Sequence, residues 1–345
     1  ARDAMLKWLD WPEGTGFGNP HSAHRLGRQS AAAIEAARDA VAALFPPGGQ
    51  VIFTGGATEA LNLAIRGSDC DGPVAFSAIE HSAVGDTAKA AGAHEVLSVT
   101  SEGLCDPQQN LPSKARMIAV MQVNNEIGTI QPVNDWLARA RETGALMCVD
   151  AVQAYGKIPV ASADLIAVSA HKLHGPKGVG ALWVRDGVKL TEQQTGGGQE
   201  AGLRSGTLSP ALIAGFGAAA KLAKERMSED AEHVEALWNR ARDLFADWTL
   251  NGSAQGRWNG NLNLRREGLD VARLMSECRN VMFSAGSACA SGSGRPSHVL
   301  KAIGLSDAAA KSSIRLGFGR YTTIEQLETA AKDIHAAVQQ QEQWG

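Results

Sequence analysis

The chain has 345 residues and a mass of 36.2 kDa, which favours two domains or one large α/β domain with an appendage and excludes a small disulfide-linked module. Its residues are 44% hydrophobic and 20% charged, and no apolar run approaches the roughly 20 residues of a membrane helix, so we expect a globular protein that does not cross a membrane. Lys and Arg number 33 against 36 Asp and Glu, for a net charge of -3, and this balance offers no basic surface for nucleic acid.

The first half of the chain is predicted to alternate helices with strands. An amphipathic helix is expected where Ile34, Ala37, Val41 and Leu44 recur at steps of three and four. Strands are predicted over 51–53, 74–77, 117–122, 146–150, 165–169 and 180–184, with helices over 58–65 and 136–143. Because the strands are rich in Val, Ile and Met, they predict a mostly parallel sheet covered on both faces. The ligands of such sheets bind beyond the carboxyl ends of the strands.

The second half is predicted to form a smaller domain. A long helical stretch from Pro210 toward Trp248, broken once, precedes three further strands over 261–265, 281–284 and 313–316. We place the domain boundary within this helix, with a large domain over 14–226 and a small α+β domain over 227–345 that also takes residues 1–13. The small domain carries a Gly- and Ser-rich loop, 284–296, which contains Cys289.

The segment TGGATEALN, residues 54–62, is a candidate phosphate site. Its glycines follow a strand and allow a tight turn into a helix, whose first N–H groups are available to an anion. A plain strand-to-helix turn with Thr58 as the N-cap is the more common interpretation of such a motif taken alone. The segment also lacks the lysine of a nucleotide P-loop.

A second candidate follows the strand over 165–169, where His171 and Lys172 stand at the rim of the predicted sheet. A partly desolvated lysine at such a rim is suited to Schiff-base chemistry, because its amine is available as a nucleophile. The alternative is a solvated loop lysine, which we expect Lys177 to be. The HxxH pairs 171/174 and 21/24 lack a third ligand nearby, so we expect no metal site.

The third candidate is Asp150, which interrupts an apolar strand and precedes Gln153. A buried carboxylate there is costly unless a cation faces it, and the nitrogen of a protonated pyridine ring is one such cation. An Arg partner or a helix cap is the alternative interpretation.

A phosphate site, a rim lysine and a buried aspartate are together the parts that hold pyridoxal phosphate. With them the sequence resembles the NifS/IscS-type cysteine desulfurases of the class V aminotransferase family, from about residue 17 to the C-terminus. The resemblance rests on FGNPHSAHRLG, GGATEALN, EHSAV, NNEIGTIQP, VDAVQAYGK, SAHKLHGPKGVGAL, GGGQEAGLRSGT, SAGSACASGSGRPSHVL and SSIRLGFGR. It implies an α/β fold of pyridoxal enzyme fold-type I, whose large domain has a mostly parallel sheet of the seven-stranded type.

The resemblance implies a role for each residue that matches a family motif. Lys172 would be the Schiff-base lysine and proton shuttle, Asp150 the partner of the pyridinium nitrogen, and Gln153 a donor to the phenolic oxygen. His81 would stack on the ring and belong to the catalytic set.

The remaining cofactor and substrate contacts are implied in the same way. Thr58, Ser169 and His171 would hold the phosphate, and Thr207 would reach in from a second subunit, which implies a homodimer. The substrate L-cysteine would bind through its carboxylate to Arg315, with help from Asn125.

Cys289 would carry the sulfur. The five cysteines are odd in number and lack metal-ligand spacing, which predicts a reducing compartment, taken to be the cytoplasm. For Cys148 and Cys278 we expect a core-filling role. The resemblance implies that Cys289 takes the sulfur as a persulfide, releases L-alanine and passes the sulfur to an IscU/NifU-like scaffold or another acceptor, for iron-sulfur cluster or thio-cofactor assembly.

Alternative functions remain at this point. A selenocysteine lyase or another class V aminotransferase would share Lys172 and Asp150, although an aminotransferase has no need of Cys289. A scaffold paralogue without activity is the non-enzymatic alternative. Members of the family begin with a segment ahead of the position of Ala1 that helps to line the site, and this sequence does not contain it. This suggests the scaffold alternative, and we expect a processed or truncated start.

Overall fold

The structure is a computed structural model that describes residues 1–9, 16–286 and 296–344. Its larger sheet has seven strands, which are β1 (Gly49–Thr54), β2 (Val74–Ser77), β3 (His94–Leu97), β4 (Met117–Ala119), β5 (Leu146–Asp150), β6 (Leu165–Ser169) and β7 (Gly180–Arg185). Their spatial order is β1-β7-β6-β5-β4-β2-β3. The strand β7 is antiparallel to both neighbours, and the other pairs are parallel. The predicted α/β fold with a mostly parallel sheet is confirmed.

A smaller, antiparallel sheet lies in the last third of the chain, in the order β10-β11-β9-β8. Its strands are β8 (Thr249–Leu250), β9 (Asn261–Arg265), β10 (Ser284–Ala285) and β11 (Ser313–Gly317). The helices are α1 (Arg2–Leu6), α2 (Arg25–Ala42), α3 (Ala57–Gly67), α4 (Ser82–Ala91), α5 (Val133–Thr143), α6 (Pro210–Leu244), α7 (Val271–Glu277), α8 (His298–Ala302), α9 (Asp307–Lys311) and α10 (Ile324–Trp344). None of these helices is long and apolar enough to cross a membrane.

Helices cover both faces of the larger sheet, which explains why its inner strands, such as β6 (Leu165–Ser169), are continuous apolar runs. On one face the buried side chains include Val41 of α2 and Trp136 of α5, and on the other they include Leu61 of α3 and Val84 of α4. Burial of both faces removes the alternation of apolar and polar residues that marks a half-exposed strand. A separate core joins the smaller sheet to the second half of α6, α7 and α10.

The long helix α6 links the two sheets without interruption. The predicted break is therefore wrong, because the polar stretch in the middle of the helix is supported by ion pairs from Arg226 to Glu229 and Asp230, one turn away. Near its start, α6 packs so closely on α2 that a methyl group on Gly217 would lie 2.7 Å from Ala37 Cα. The boundary that we place near residue 226 falls inside this helix and stays a prediction.

The strand β4 is shorter than predicted. Its regular pairing ends at Ala119, although Val120 N and Gln122 N still donate to Cys148 O and Asp150 O at 3.2 and 3.0 Å. The backbone therefore continues along β5 up to the segment that carries Asn125.

Candidate active site

A cleft of about 660 Å³ opens at the carboxyl ends of the parallel strands and reaches to the smaller sheet. Nine of the predicted site residues line it, namely Thr58, His81, Asn125, Asp150, Gln153, Ser169, His171, Lys172 and Arg315. The structure thus brings together residues that are far apart in the sequence, from Thr58 to Arg315. Cys289 lies outside the described residues, and Thr207 does not line the cleft of its own chain.

The N-terminus of α3 forms one end of the cleft. The helix begins at Ala57 after Gly56, so Thr58 lies inside the first turn, and its interpretation as the N-cap is wrong. Ser169 Oγ accepts a hydrogen bond from Ala57 N at 2.8 Å, whereas the next N–H groups have no acceptor within the helix. A methyl group on Gly180 would lie 2.7 Å from Gly56 Cα, so the turn packs tightly against β7. This end of the cleft suits an anion.

Asp150 ends β5 and is only 6% exposed. Val152 N donates to its Oδ1 at 2.9 Å. Burial raises the pKa of this carboxyl, while the hydrogen bond from Val152 and the charges of His81 and Lys172 act in the opposite direction. A cation placed against the carboxylate would relieve the cost of its burial, so the position fits a protonated ring nitrogen.

His81 precedes α4 and caps it. Its Nδ1 accepts a hydrogen bond from Ala83 N at 3.1 Å, so the neutral ring carries its proton on Nε2. The cap fixes the imidazole at the wall of the cleft, because rotation of the ring would cost the helix its N-terminal hydrogen bond.

His171 and Lys172 lie in a short 3-10 turn, Ala170–Leu173, which follows β6 directly. Both side chains are exposed at the edge of the sheet and line the cleft. Burial and the charges of Lys172 and Lys177 lower the pKa of His171, which keeps its imidazole neutral at a site suited to hydrogen bonding.

Arg315 faces the larger sheet from β11. Its Nη1 donates to Asn125 O at 2.9 Å, and Asn261 Nδ2 donates to the same oxygen at 3.0 Å. The turn that carries Asn125 is held by Asn124, whose Oδ1 accepts from the N–H groups of residues 126 and 127. A guanidinium in this position can bind a carboxylate with two parallel hydrogen bonds.

Two buried carboxyls beside the cleft were not predicted. Glu80 is 3% exposed, and its Oε1 accepts from Met121 N at 2.7 Å. Glu126 accepts a hydrogen bond from Ser297 Oγ, and His298 Nε2 donates to Glu80 O at 2.8 Å. Burial raises the pKa of both carboxyls. Both occur in motifs quoted above, EHSAV and NNEIGTIQP, where each is a single acidic residue next to an apolar one. That pattern is the signal in the sequence from which their burial could have been predicted.

Lys157 is a further cleft residue that the sequence analysis did not single out. It ends the motif VDAVQAYGK, four residues after Gln153, and its Nζ donates to Gln153 Oε1 at 2.7 Å. An ion pair lines the other end of the cleft, where Arg320 Nε lies 2.8 Å from Asp230 Oδ2.

Thr207 is exposed, on a loop that is tied to the start of α3. Arg204 Nε lies 2.7 Å from Glu59 Oε1, and Gly206 N donates to Gln199 Oε1 at 2.7 Å. These contacts hold Thr207 at the surface, outside the cleft of its own chain.

The described cysteines are free thiols, and the predicted burial of Cys148 and Cys278 is confirmed. Burial raises the pKa of Cys105 to about 12 and also raises the pKa of Cys148, so neither thiol is reactive at neutral pH. Within residues 1–9, 16–286 and 296–344, no group of three or more His, Cys, Asp or Glu side chains is placed to hold a metal ion.

The groups along the cleft fit a phosphorylated, cationic aromatic ring. The start of α3 suits the phosphate, Asp150 suits a protonated ring nitrogen, and Lys172 supplies an amine in the same cleft.

The comparisons with known proteins agree with this chemistry. The class-V aminotransferase model matches residues 14–329. The chain is 40% identical to the mitochondrial cysteine desulfurase of Drosophila melanogaster, over 95% of this chain and 76% of that protein, and 40% identical to the cysteine desulfurase IscS of Aeromonas salmonicida, over 93% and 85%. The fold is similar to that of a NifS-like protein from Rickettsia africae, with 26% identity and a TM-score of 0.89, over 98% of this chain and 95% of that one. It is also similar to that of SspA in complex with cysteine, with 32% identity and a TM-score of 0.80, over 94% of this chain and 96% of that one. The chain therefore belongs to the class-V aminotransferase family and, within it, to the NifS/IscS-type cysteine desulfurases, which depend on pyridoxal phosphate.

Proposed function

We propose that the cleft binds pyridoxal phosphate and L-cysteine, and that the chain releases L-alanine while the sulfur passes to Cys289. One observation carries the assignment of residues. Lys172, Asp150, the start of α3 and Arg315 come from four distant parts of the sequence and open on one cleft. This is the set that a phosphorylated pyridine and an amino acid carboxylate require together.

The larger sheet is proposed to hold the cofactor. Thr58, Ser169 and His171 would bind the phosphate with the first N–H groups of α3, and Asp150 would pair with the ring nitrogen. His81 would lie on the ring face, and Gln153 would donate to the phenolic oxygen. When bound, pyridoxal phosphate supplies an electron sink that makes the α-proton of an amino acid acidic and weakens its carbon–sulfur bond.

Lys172 is proposed to anchor the cofactor through Nζ and to move the α-proton of the substrate. Its place on a turn directly after β6 suits both tasks, because the backbone is fixed by the sheet while the side chain is exposed. Proton transfer by a positioned side chain is worth about 10²–10⁴-fold in rate.

The smaller sheet is proposed to bind the substrate. The Arg315 guanidinium would hold the cysteine carboxylate beside Asn125. The Cys289 thiolate then bonds to the substrate sulfur as the carbon–sulfur bond breaks, which leaves a persulfide on Cys289. The organic product takes up a proton and leaves as L-alanine, and a thiol or an acceptor protein removes the sulfur.

Three further parts of the proposal concern the assembly and the setting. Thr207 would reach the phosphate of a second copy, and its exposed position on the loop beside α3 supports a homodimer. The acceptor would be an IscU/NifU-like scaffold in iron-sulfur cluster or thio-cofactor assembly, and the odd number of cysteines supports a reducing compartment such as the cytoplasm.

The proposal is tested by measuring alanine from L-cysteine, with pyridoxal phosphate and a reducing thiol present. We expect alanine and a visible cofactor band from the parent, neither from Lys172→Ala, and both from the matched control Lys177→Ala in the same loop. Alanine at the parental rate from Lys172→Ala would contradict the role of Lys172. A cofactor-loaded parent that uses selenocysteine but not cysteine would contradict the substrate.

A further inference from the structure

Lys157 is a basic side chain in the cleft for which the proposed mechanism has no role. The chain runs from β5 through tight turns to Gly156, which has a φ of +74°. A methyl group on Gly156 would lie 3.1 Å from both Leu173 Cδ1 and Ala223 Cβ, so this segment is wedged between α6 and the turn that carries Lys172. The backbone of Lys157 is therefore held in place against both elements.

The contact of Lys157 with Gln153 determines how the glutamine amide is oriented. Lys157 Nζ donates to Gln153 Oε1 at 2.7 Å. The protonated form of Lys157 has donors and no acceptor, so it requires the carbonyl oxygen of the amide to face it. Gln153 Nε2 is then directed away from Lys157, and no described residue accepts a hydrogen bond from it.

The charges around Lys157 favour an anion in the cleft. Burial and the charge of Lys172 lower the pKa of Lys157 to about 7. His174 is also close enough to interact with the charge of Lys157, and the ion pair of Asp230 with Arg320, in which the carboxylate is neutralised, lines the same cleft. An anionic oxygen placed beside Lys157 would favour its charged form and strengthen its hold on Gln153.

We propose that Lys157 is a positioning residue, which orients the Gln153 amide so that Nε2 donates to the phenolic oxygen of bound pyridoxal phosphate. The inference rests on the proposed contact between Gln153 and the cofactor. A donor to that oxygen stabilises its negative charge, and the loss of the donor makes the cofactor harder to deprotonate.

The test is a pH titration of the visible absorption band of the cofactor-loaded protein. We expect Lys157→Met to raise the midpoint of the spectral change by about one pH unit, the size typical of a lost charge-assisted contact. Lys157→Arg keeps a side chain that can only donate hydrogen bonds, so its midpoint should stay near that of the parent. Lys157→Gln can present either end of an amide and should fall between the two, which provides a second variant if Lys157→Met does not fold.

A double-variant cycle separates positioning from plain charge. Gln153→Leu alone should raise the midpoint, and adding Lys157→Met to it should change the midpoint little. An equal shift by Lys157→Met in both backgrounds would overturn the positioning role and leave only an effect of charge. A parental band whose midpoint no variant moves would overturn this inference alone, whereas a parent without any cofactor band would overturn the proposed cofactor site as well.

Discussion

The two walls of the cleft are built in different ways. On the larger sheet, Asp150, Ser169 and Lys172 sit at or directly after the ends of adjacent parallel strands, so the backbone of one sheet fixes them all. On the smaller sheet, Arg315 reaches across from an antiparallel strand and is held by a hydrogen bond to the Asn125 carbonyl. The residues of the first wall are thus fixed by a single sheet. The position of Arg315 in the second wall depends on the junction between the smaller sheet and the turn that carries Asn125.

The junction includes a group of polar contacts that converge on one turn, beside a small apolar cluster in which Ile127 packs on Leu300 and its neighbours. Asn261 Nδ2 and Arg315 Nη1 donate to Asn125 O, Asn263 Nδ2 donates to Glu126 O, and Ser297 donates to the Glu126 carboxyl. The comparison indicates a division of labour. Under the proposed function, the larger sheet would set the state of the cofactor and the smaller sheet would set the position of the substrate, so changes in the two walls should affect different measurements.

Among the changes that keep Lys172, the largest effect is expected from Asp150→Asn in the larger sheet. Asparagine keeps the shape but cannot neutralise a cationic ring nitrogen, so we expect kcat about 10²–10³-fold lower. The cofactor spectrum should change as well. Steady-state kinetics and absorption spectra measure both, with Asp186→Asn in an exposed turn as the control. An Asp150→Asn variant with the spectrum and the kcat of the parent would contradict the role of Asp150.

Arg315→Ala should affect the substrate and leave the cofactor as it is. Loss of a guanidinium that binds a carboxylate is expected to lower kcat/KM roughly 10²-fold, mainly through KM. Arg315→Lys should recover part of this, since a lysine keeps the charge without the paired donors. The exposed Arg273→Ala is the control, and a changed cofactor band in Arg315→Ala would break the proposed division between the walls.

Ser297→Ala tests the junction by stability. Ser297 Oγ caps α8 by accepting from Leu300 N and also donates to the buried Glu126, whereas Ser306 Oγ only caps α9, by accepting from Ala309 N. We expect Ser306→Ala to cost about 1 kcal/mol of unfolding free energy. Ser297→Ala should cost about 1–3 kcal/mol more, because a buried charged group loses a hydrogen bond. Equal costs in urea unfolding would show that the contact with Glu126 contributes nothing.

The smallest effect is expected from Glu80→Gln, in the pH dependence of stability. Burial raises the pKa of Glu80, so the folded chain holds this proton more tightly than the unfolded chain does. Stability is therefore lost as the pH rises through the folded pKa, and Glu80→Gln should make the unfolding free energy of the cofactor-free protein less dependent on pH. Thermal melts at several pH values measure this, with the exposed Glu102→Gln as the control. An unchanged pH slope in Glu80→Gln would contradict a raised pKa.

The elements of the larger sheet were predictable where burial leaves a clear pattern. The strands β5, β6 and β7 are apolar runs because both of their faces are covered, and their predicted bounds agree with the structure to within one residue. The strand β3 was not predicted, because it lies at the sheet edge with three of its four residues exposed. The helix α10 was also missed, although Leu327, Ala331, Ile334 and Val338 recur at helical spacing and are buried.

The cleft itself was predictable through motifs, but its supporting contacts were not. Asp150, Lys172 and Arg315 could be assigned because each matches a segment with a known chemical task. Glu80 and Glu126 contact residues that only the folded chain brings close, such as Ser297, which lies 171 positions after Glu126. A linear pattern does not contain this information.

The most direct test of the central claim follows the sulfur atom. The cofactor-loaded parent would be exposed to L-cysteine without a reducing thiol, and its peptides analysed by mass spectrometry for one added sulfur. We predict an added sulfur on Cys289 in the parent and in Lys177→Ala, and none on the peptide of Lys172→Ala or Cys289→Ser. An added sulfur that appears on another cysteine, or on Cys289 in the absence of Lys172, would contradict the account.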